Sequence, residues 1–501
     1  MPYRENAVFT NKSGYKDSVK SMIRFGTDGW RAVIADTFTF ANLRLVAQAV
    51  ADSINQQYTG SGQPEVVIGY DTRFLSDRFA AEAARVLAGN NIIAWLTRTD
   101  APTPAISYNV KEKGAQAGVV ITASHNPPRY NGFKLKAPYG GSATAEVCAL
   151  VEEELERMQR EARGPNMMDY QKAIDADLIR RFDPSWSYYQ HLATLTDLDE
   201  ISQGELRVVA DAMWGSGRGA FMSILARSRC HVSEIRGALN PGFGGIHPEP
   251  IARYLNDLVA AVQQTQADVG LATDGDADRI GAVDAHGNFV DPHHVFALVL
   301  RHLIETHGQR GDVVKTVSTT FMIDALAAAY DLKVHETPVG FNHIADLMLA
   351  NDVLMGGEES GGISIRGHIP EGDGILMGLL LLEVMAEKGA PLHEIVADFQ
   401  ATYGPAHYGR IDTRLDHQLP KKQMVQLLVD AAPKQVGGEA ITQVDTLDGV
   451  KFYLADRSWL LIRPSGTEPV LRVYAEARTP DFRDELLQLG SSLGKRVTQP
   501  V

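Results

Sequence analysis

The chain alternates short apolar runs with amphipathic helical patterns along most of its length, and this alternation restricts the possible folds more than any other feature. Residues 66–70, 92–96 and 117–121 are apolar runs bounded by turn residues, which is typical of buried strands. Strands that alternate with helices predict an α/β protein, in which helices cover a parallel or mixed sheet. The helix between the first two strands is expected to begin at Asp77 as its cap and to end at Gly89 in the left-handed conformation.

The alternation restarts twice along the chain, and the pattern changes near residue 404. A length of 501 residues suits three to five domains of ordinary size. The last segment combines closely spaced strand-like runs with two helical patterns, which favours a smaller α+β domain. We predict three consecutive α/β domains with mixed parallel sheets, followed by one α+β domain. The predicted domain ranges are 1–165, 166–291, 292–403 and 404–501.

Composition excludes several classes of protein. The 62 acidic and 48 basic residues give a net charge of −14, which argues against general nucleic-acid binding. Cys148 and Cys230 are too few for a disulfide framework or a cysteine-based structural zinc site, so the cytoplasm is the expected compartment. Residues 1–21 lack the apolar segment of a secretory signal, and the apolar run 375–382 is too short to cross a membrane. We expect that run to form a buried core helix, and we expect no membrane partner.

A serine follows the predicted strand at 117–121, in the sequence Thr-Ala-Ser-His-Asn. Ser124 is therefore expected at the carboxyl end of a buried strand, where α/β proteins place their ligands. His125 and Lys134 are close enough in sequence to move protons or hold a phosphate. An ordinary turn built from Ser, Asn and Pro is the alternative.

Three aspartates occupy alternate positions directly after the apolar run 269–273. Carboxylates crowded at Asp274, Asp276 and Asp278 repel one another unless a cation neutralises them, and hard oxygen ligands indicate Mg²⁺. A calcium-binding EF-hand is excluded, because Arg279 stands at the loop position that requires glycine. A solvated acidic turn is the alternative.

Two further loops carry polar groups suited to a phosphorylated sugar. Residues 356–362 place two carboxylates and a hydroxyl among glycines, and carboxylates accept hydrogen bonds from sugar hydroxyls. Residues 463–469 supply a guanidinium group and a Ser-Gly-Thr turn, which together favour phosphate binding. Each loop on its own is also compatible with a plain turn.

Together these four loops, preceded by Phe-Gly-Thr-Asp-Gly-Trp-Arg at 25–31, resemble the α-D-phosphohexomutase superfamily of phosphoglucomutases, phosphomannomutases and phosphoglucosamine mutases. The resemblance covers essentially the whole chain, in the family's order and spacing. It implies an enzyme that interconverts hexose 1-phosphate and hexose 6-phosphate in a cleft between four domains. The route passes through a phosphoserine and a 1,6-bisphosphate. The Glu-Glu-Ser sequence at 358–360 is closest to the glucose branch. Phosphomannomutase, phosphoglucosamine mutase and a variant that releases the bisphosphate are the alternatives.

The resemblance also implies a role for each matching residue. Ser124 would carry the phosphoryl group, and the Mg²⁺ ligands would be Ser124, Asp274, Asp276 and Asp278. The residues near the phosphoserine would be Arg31, His125, Lys134 and Arg279. The sugar hydroxyls would be bound by Glu358 and Ser360, and the substrate phosphate by Arg463, Ser465, Gly466 and Thr467. The implied small molecules are Mg²⁺, a phosphosugar substrate and hexose 1,6-bisphosphate as activator, and the expected state is a monomer or homodimer.

The chain departs from the family at three positions that usually carry basic side chains. These positions are Asn342, Gly362 and Gly372. We consider as possible replacements the basic side chains of His343, Arg366 and His368.

Two rival functions are weaker. The segment 215–220 is a relaxed dinucleotide-binding motif with Glu234 beyond it, but residues 211–214 separate it from the preceding strand. That motif also explains none of the four loops. A catalytically silent binding protein with the same fold is the second rival, and the retention of Ser124, the three aspartates and Arg463 argues against it.

Overall fold

The computed structural model describes residues 23–26, 29–415, 420–464 and 470–498, and within those ranges the chain forms four sheets. Each sheet with its own helices is called a unit below. The predicted fold class is confirmed, because three units are α/β and the fourth is α+β.

The first unit is a six-stranded sheet in the order β1-β5-β4-β2-β3-β6. Its strands are β1 Trp30–Val33, β2 Glu65–Tyr70, β3 Ile93–Thr97, β4 Ala117–Ile121, β5 Tyr130–Lys136 and β6 Ile179–Phe182. Its helices are α1 Phe40–Gln57, α2 Ser76–Gly89, α3 Thr103–Lys113, α4 Ala145–Arg160 and α5 Tyr170–Asp175. The strands β4, β2, β3 and β6 are parallel. At one edge β5 pairs antiparallel with β4, and β1 pairs antiparallel with β5. Since β6 pairs with β3, the first sheet extends past residue 165, where the sequence places the first boundary.

The second unit is a five-stranded sheet in the order β11-β10-β9-β7-β8. Its strands are β7 Arg207–Asp211, β8 His231–Ile235, β9 Val269–Thr273, β10 Ile280–Asp284 and β11 Phe289–Val290. Its helices are α6 Ser185–Leu195, α7 Leu198–Gln203, α8 Ala220–Ile224 and α9 Asn256–Thr265, with short 3₁₀ turns at Phe243–Gly245 and Ala252–Tyr254.

The third unit has four strands in the order β13-β12-β14-β15, and the fourth is a fully antiparallel sheet in the order β16-β21-β20-β19-β18-β17. The third comprises α10 Pro292–Glu305, β12 Asp312–Thr316, α11 Met322–Ala329, β13 Val334–Thr337, α12 Phe341–Ala350, β14 Val353–Gly357, β15 Ile363–Ile365, α13 Gly374–Lys388 and α14 Leu392–Tyr403. The fourth comprises β16 His407–Arg414, α15 Lys421–Asp430, β17 Gln435–Val436, β18 Glu439–Asp445, β19 Val450–Leu454, β20 Trp459–Pro464, β21 Val470–Ala477 and α16 Pro480–Thr498.

The helix α13 joins the second and third units into one apolar core. The run 375–382 is buried within it, so the predicted core helix is confirmed. A Cβ at Gly378 would lie 2.5 Å from the Phe221 ring and 3.3 Å from Leu271, so the missing side chain lets α13 pack tightly against the second sheet. No helix in the described ranges is both long enough and apolar enough to cross a membrane.

The ends of α2 differ from the prediction. Leu75 precedes the helix in the left-handed conformation, with φ 61°, and Asp77 lies in the first turn without capping it. The left-handed residue after the helix is Asn91, with φ 60°, whereas Gly89 is still helical. A Cβ at Gly89 would lie 2.8 Å from the Asn166 carbonyl oxygen, so this glycine permits a close backbone contact and does not terminate the helix.

Candidate active site

The loop after β4 and the loop after β9 meet at the carboxyl ends of their strands. The Ser124 hydroxyl donates a hydrogen bond of 2.8 Å to Asp274 Oδ2, and Ser124 is 1% exposed. The backbones approach equally closely, because a Cβ at Gly275 would lie 2.5 Å from the Ser124 carbonyl oxygen. The serine and the acidic loop, which the sequence singles out separately, therefore form one site.

A buried guanidinium group that the sequence reasoning missed holds the serine loop. Ser124 has a φ of 50°, in the left-handed region. The Arg73 side chain donates to the carbonyl oxygen of Ser124, to that of Asn126 at 2.7 Å, and to those of Pro127 and Tyr130 at 3.0 Å each. Four carbonyl oxygens on one guanidinium group fix the path of the loop. The only sequence signal for Arg73 is its place directly after β2, at the same sheet edge.

A buried carboxylate, Asp71, balances this charge. It accepts hydrogen bonds from the Arg73 side chain at 3.0 Å and from the Thr122 hydroxyl at 2.6 Å. The Thr122 hydroxyl in turn accepts the Ser124 backbone N–H at 2.9 Å. Burial raises the pKa of Asp71 to about 6, although Arg73 and Thr122 oppose the shift. The network connects β2 to the serine through fully buried polar groups.

We expect Arg73→Met to destabilise the protein by about 3–5 kcal/mol, because the substitution leaves the buried Asp71 carboxylate without its counter-charge and removes the donors that bind four carbonyl oxygens. Thermal unfolding by calorimetry measures the change. Arg78→Met is the matched control, since Arg78 lies in α2 with 73% of its side chain exposed and only a 3.5 Å contact to Asp77. The control should lose less than about 1 kcal/mol. Equal unfolding temperatures for the two variants would contradict the role given to Arg73.

The three aspartates form a compact, buried cluster. Asp274 and Asp276 are fully buried, Asp278 is 9% exposed, and one oxygen of each lies within 4.8 Å of the others. Lys134 Nζ lies 2.9 Å from Asp276 Oδ2 and 2.9 Å from Asp278 Oδ2. The Thr103 hydroxyl donates to Asp276 Oδ2 at 2.6 Å.

This cluster fits a divalent cation. Burial and the charges of Asp278 and Asp276 raise the pKa of Asp274 well above its usual value, although Arg279 and the Ser124 hydroxyl oppose the shift. Asp278 Oδ1 is buried and accepts no hydrogen bond from the described residues. An all-oxygen ligand set of this kind suits Mg²⁺, and the residues that would hold it are Ser124, Asp274, Asp276 and Asp278.

Arg279 follows the cluster and faces it. Its backbone N–H donates to Asp274 Oδ1 at 3.3 Å, and its Nε lies 3.7 Å from Asp278 Oδ1. Burial lowers the pKa of Arg279, but the charges of Asp278 and Asp274 outweigh this effect and hold it above its usual value. The guanidinium group therefore stays charged beside the aspartate cluster.

Arg31 and His125 complete the surroundings of the serine. Arg31 donates to Asn126 Oδ1 at 2.9 Å, on the next turn of the serine loop. His125 Nδ1 lies 3.4 Å from Ser124 Oγ. Burial, reinforced by the charges of Arg279 and Arg31, lowers the pKa of His125 well below its usual value. The imidazole is consequently neutral at physiological pH.

The loop at 358–362 packs against the acidic loop from the third unit. Glu358 Oε1 accepts the Gly340 N–H at 2.9 Å, and the Glu358 N–H donates to the Gly362 carbonyl oxygen at 3.0 Å. Burial raises the pKa of Glu358 to about 7, and the charge of Glu359 adds to this effect. Ser360 lies in the same loop and is partly exposed.

Two glycines keep this loop and the following segment close to the acidic loop. A Cβ at Gly361 would lie 2.7 Å from the Ile280 carbonyl oxygen, and one at Gly372 would lie 2.7 Å from the Asp278 carbonyl oxygen. No side chain fits at Gly372 without a backbone shift. The basic residue that the family usually has at this position is therefore incompatible with the backbone of this structure.

The predicted phosphate loop is described only at its first two residues, Arg463 and Pro464. Ser465, Gly466 and Thr467 lie outside the described residues. Arg463 is the last residue but one of β20, and its Nε donates to Asp448 Oδ2 at 2.6 Å. Asp448 Oδ2 also accepts the Val339 N–H at 3.1 Å, so this pair connects the fourth unit to the third.

Arg463 belongs to a basic sheet face that the sequence reasoning only partly found. Arg472 lies directly opposite Arg463 on β21, and Asp412 of β16 lies opposite Arg472. Arg410 of β16 shares this face, because side chains two residues apart in a strand point the same way. Arg410, which the sequence reasoning missed, donates to Asp412 at 2.8 and 2.7 Å, and its charge also contributes to the lowered pKa of His125.

Two of the basic residues considered as replacements are engaged elsewhere. Arg366 donates to the Arg310 carbonyl oxygen at 2.7 Å and pairs with Asp352 at 2.8 Å. His368 is buried, 2.9 Å from a ring nitrogen of His191. The replacement of the missing basic contacts by these two side chains therefore stays a prediction, and it would require each side chain to leave the partners it has in this structure.

Comparisons with known proteins give a consistent result. Four models of the phosphoglucomutase/phosphomannomutase family match the chain in order: α/β/α domain I at 22–162, domain II at 186–287, domain III at 291–403 and the C-terminal domain at 420–488. A Thermococcus kodakarensis protein named phosphoglucomutase/phosphomannomutase is 30% identical over 473 residues, covering 94% of this chain and 98% of the relative. A Pyrococcus furiosus protein named as a phosphoglucosamine mutase is 32% identical over 480 residues, covering 95% and 98%.

A solved structure leads to the same family. A Thermus thermophilus protein named as a phosphomannomutase superposes with a TM-score of 0.81 at 34% sequence identity, covering 94% of this chain and 99% of that chain. These similar proteins are named as mutases of glucose, mannose and glucosamine phosphates, so similarity alone does not identify which sugar phosphate is the substrate of this chain.

Proposed function

The chain belongs to the phosphoglucomutase/phosphomannomutase family and is a phosphohexomutase, and from this premise we propose that it interconverts glucose 1-phosphate and glucose 6-phosphate through a phosphoserine at Ser124. The observation that carries this proposal is the 2.8 Å hydrogen bond from the Ser124 hydroxyl to Asp274, within a buried cluster of three aspartates. A bound Mg²⁺ would withdraw charge from the oxygens of the transferred group.

In the first step, a hydroxyl oxygen of the sugar phosphate attacks the phosphorus of phospho-Ser124, and the bond from phosphorus to Ser124 Oγ breaks. The proton of the sugar hydroxyl ends on Ser124 Oγ. Neutral His125, with Nδ1 at 3.4 Å from Oγ, is suited to pass that proton. Arg279 and Lys134 stabilise the charge on the phosphoryl oxygens during transfer.

The product of the first step is a 1,6-bisphosphate, which turns around and returns its other phosphoryl group to Ser124. The basic face formed by Arg410, Arg463 and Arg472 is suited to hold whichever phosphate is not reacting. Binding energy from this remote phosphate orients the reacting hydroxyl. The same machinery thus serves both directions.

A coupled assay with glucose 1-phosphate, mannose 1-phosphate and glucosamine 1-phosphate, each with catalytic hexose 1,6-bisphosphate, tests the proposal. Turnover of any of the three supports mutase chemistry, and the highest kcat/KM is expected for glucose. Phosphoglucosamine mutase is the second candidate, because the Pyrococcus furiosus relative carries that name. A protein with no turnover of any of the three sugars would contradict the proposal.

We expect Glu358→Gln to reduce kcat/KM for glucose 1-phosphate and to narrow the gap between glucose and mannose. A buried carboxylate left without a partner by the wrong epimer costs about 1–3 kcal/mol, or about 5- to 150-fold in specificity. The ratio of kcat/KM values in wild type and variant measures the effect.

Arg463→Ala is the matched comparison, since a contact to phosphate is common to both sugars. It should lower kcat/KM for both substrates by the same factor and leave the ratio of the two kcat/KM values unchanged. Equal kcat/KM values for glucose and mannose 1-phosphates in the wild type would show that the glucose preference is wrong.

A further inference from the structure

Two histidines and a glutamate meet outside the candidate active site, where the third unit packs on the second. His302 lies in the last turn of α10, His307 lies just beyond that helix, and Glu383 lies in α13. Glu383 Oε1 is 2.9 Å from His302 Nε2 and 2.7 Å from His307 Nε2, and the two Nε2 atoms are 3.2 Å apart. Three potential ligand atoms therefore surround one point.

Hydrogen bonding and cation binding compete for these three atoms. Both imidazoles can donate from Nε2 to Glu383 Oε1, because a carboxylate oxygen accepts two hydrogen bonds. That arrangement crowds the two N–H groups, whose nitrogen atoms are 3.2 Å apart. A cation bound in place of the two protons would contact all three atoms at once.

The geometry suits a tetrahedral ion. A circle through the three atoms has a radius of about 1.7 Å, so an ion about 2.0–2.1 Å from each would lie about 1.1 Å out of their plane. The two imidazole rings are nearly perpendicular, at 83°. The His307 side chain is 32% exposed, which leaves the fourth position open to water.

The surroundings orient the ligands. Glu383 is 1% exposed and follows the apolar run 375–382 of α13, and its Oε2 accepts the Asp197 N–H at 2.9 Å. Burial raises the pKa of Glu383, but the hydrogen bonds from His302, Asp197 and His307 outweigh burial and hold this pKa below its usual value. Glu387 Oε2 lies 3.7 Å from His302 Nδ1, and metal-binding imidazoles commonly face a carboxylate with their second nitrogen.

We propose that His302, His307 and Glu383 bind one Zn²⁺ ion, with water as the fourth ligand. Two imidazoles and a carboxylate form a typical zinc ligand set, whereas the aspartate cluster offers only oxygen atoms and suits Mg²⁺. Through Glu383, which also accepts the Asp197 N–H at the start of α7, the ion links α10, α13 and the second unit. Its role is structural.

Zinc titration of the full-length protein tests the proposal. Protein stripped with a chelator is dialysed into buffer with millimolar Mg²⁺, which occupies the oxygen-only cluster, and is then titrated with Zn²⁺ against a chromophoric competitor. We expect one equivalent to bind in the wild type and His307→Ala to bind at least about tenfold more weakly. Co²⁺ in place of Zn²⁺ should give the intense visible absorption of a tetrahedral ion, and this band should be lost in the variant.

His335→Ala is the matched control, because His335 also pairs with a carboxylate, Asp312, at 2.6 Å but belongs to no such cluster among the described residues. It should bind zinc like the wild type. Because His307 is partly exposed, we expect the His307→Ala variant to fold, and calorimetry checks this. Glu383→Gln is a second variant that removes a different ligand. Absence of zinc binding in the presence of Mg²⁺, or equal binding by wild type and His307→Ala, would overturn the proposal and leave a hydrogen-bonded cluster only.

Discussion

Ser124→Ala is expected to lower kcat by at least about 10⁴-fold, because the substitution removes the oxygen that carries the phosphoryl group. Substrate binding should change little, since the phosphate and sugar contacts come from other loops. Intact-mass analysis provides a second, independent measurement: the wild type should carry a phosphate-sized increment that maps to Ser124, and the variant should lack it. The hydrogen bond to Asp274 and the left-handed backbone at this residue are the structural reasons for the assignment.

Ser53→Ala is the control for that substitution. Ser53 is also a buried serine of the first unit, but its hydroxyl accepts a hydrogen bond of 3.0 Å from Gln57 within α1 and lies in none of the four loops. Its kcat should remain within about twofold of the wild type. A Ser124→Ala protein that keeps kcat within about tenfold of the wild type would contradict the phosphoserine route, and the search for the phosphoryl carrier would have to begin again.

Removal of divalent cations is expected to lower turnover by at least about 10³-fold, because a metal ion contributes several kcal/mol to charge stabilisation and each 1.36 kcal/mol is tenfold in rate. Without the ion, the carboxylates of Asp274, Asp276 and Asp278 would repel the phosphoserine. The measurement is the rate of chelator-treated protein before and after Mg²⁺ is added back.

Adding back one metal at a time separates the effect of the aspartate cluster from that of the proposed zinc site. Mg²⁺ alone should restore full turnover, and Zn²⁺ alone should not. Asp278→Asn, which removes one charge from the cluster, should raise the Mg²⁺ concentration needed for half-maximal activity, while His307→Ala should leave that concentration unchanged. Full turnover by protein that elemental analysis shows to be metal-free would refute the role of the aspartates.

Much of the fold was predictable because local patterns and long-range packing agree. The strands Ala117–Ile121 and Val269–Thr273 have the bounds of the apolar runs in the sequence, since polar or turn residues follow each run. The positions of the Ser124 and Asp274 loops were predictable in the same way, because α/β folds place their ligands at the carboxyl ends of strands. The hydrogen bond between the two residues joins two different sheets, and no local pattern encodes it.

The remaining features depend on contacts that leave no local signal. Arg73 acts on carbonyl oxygens, which every residue has, so no pattern of side chains marks its partners. The pairing of β1 with β5 at the sheet edge joins segments about a hundred residues apart. Glycine is a residue type that commonly terminates helices, but at position 89 it permits a close backbone contact with Asn166. In each case tertiary packing, which a local pattern does not encode, decides the outcome.

The position of α13 has a consequence for synthesis on the ribosome. The apolar face of the second sheet, including Leu271, is covered by a helix that begins at Gly374, about a hundred residues later in the chain. The first unit has an apolar core of its own and can fold as it emerges, whereas the second keeps an uncovered sheet face until α13 has left the exit tunnel. During that interval the apolar sheet face is exposed to contact with other polypeptides, and an early release of the chain before α13 would leave it uncovered.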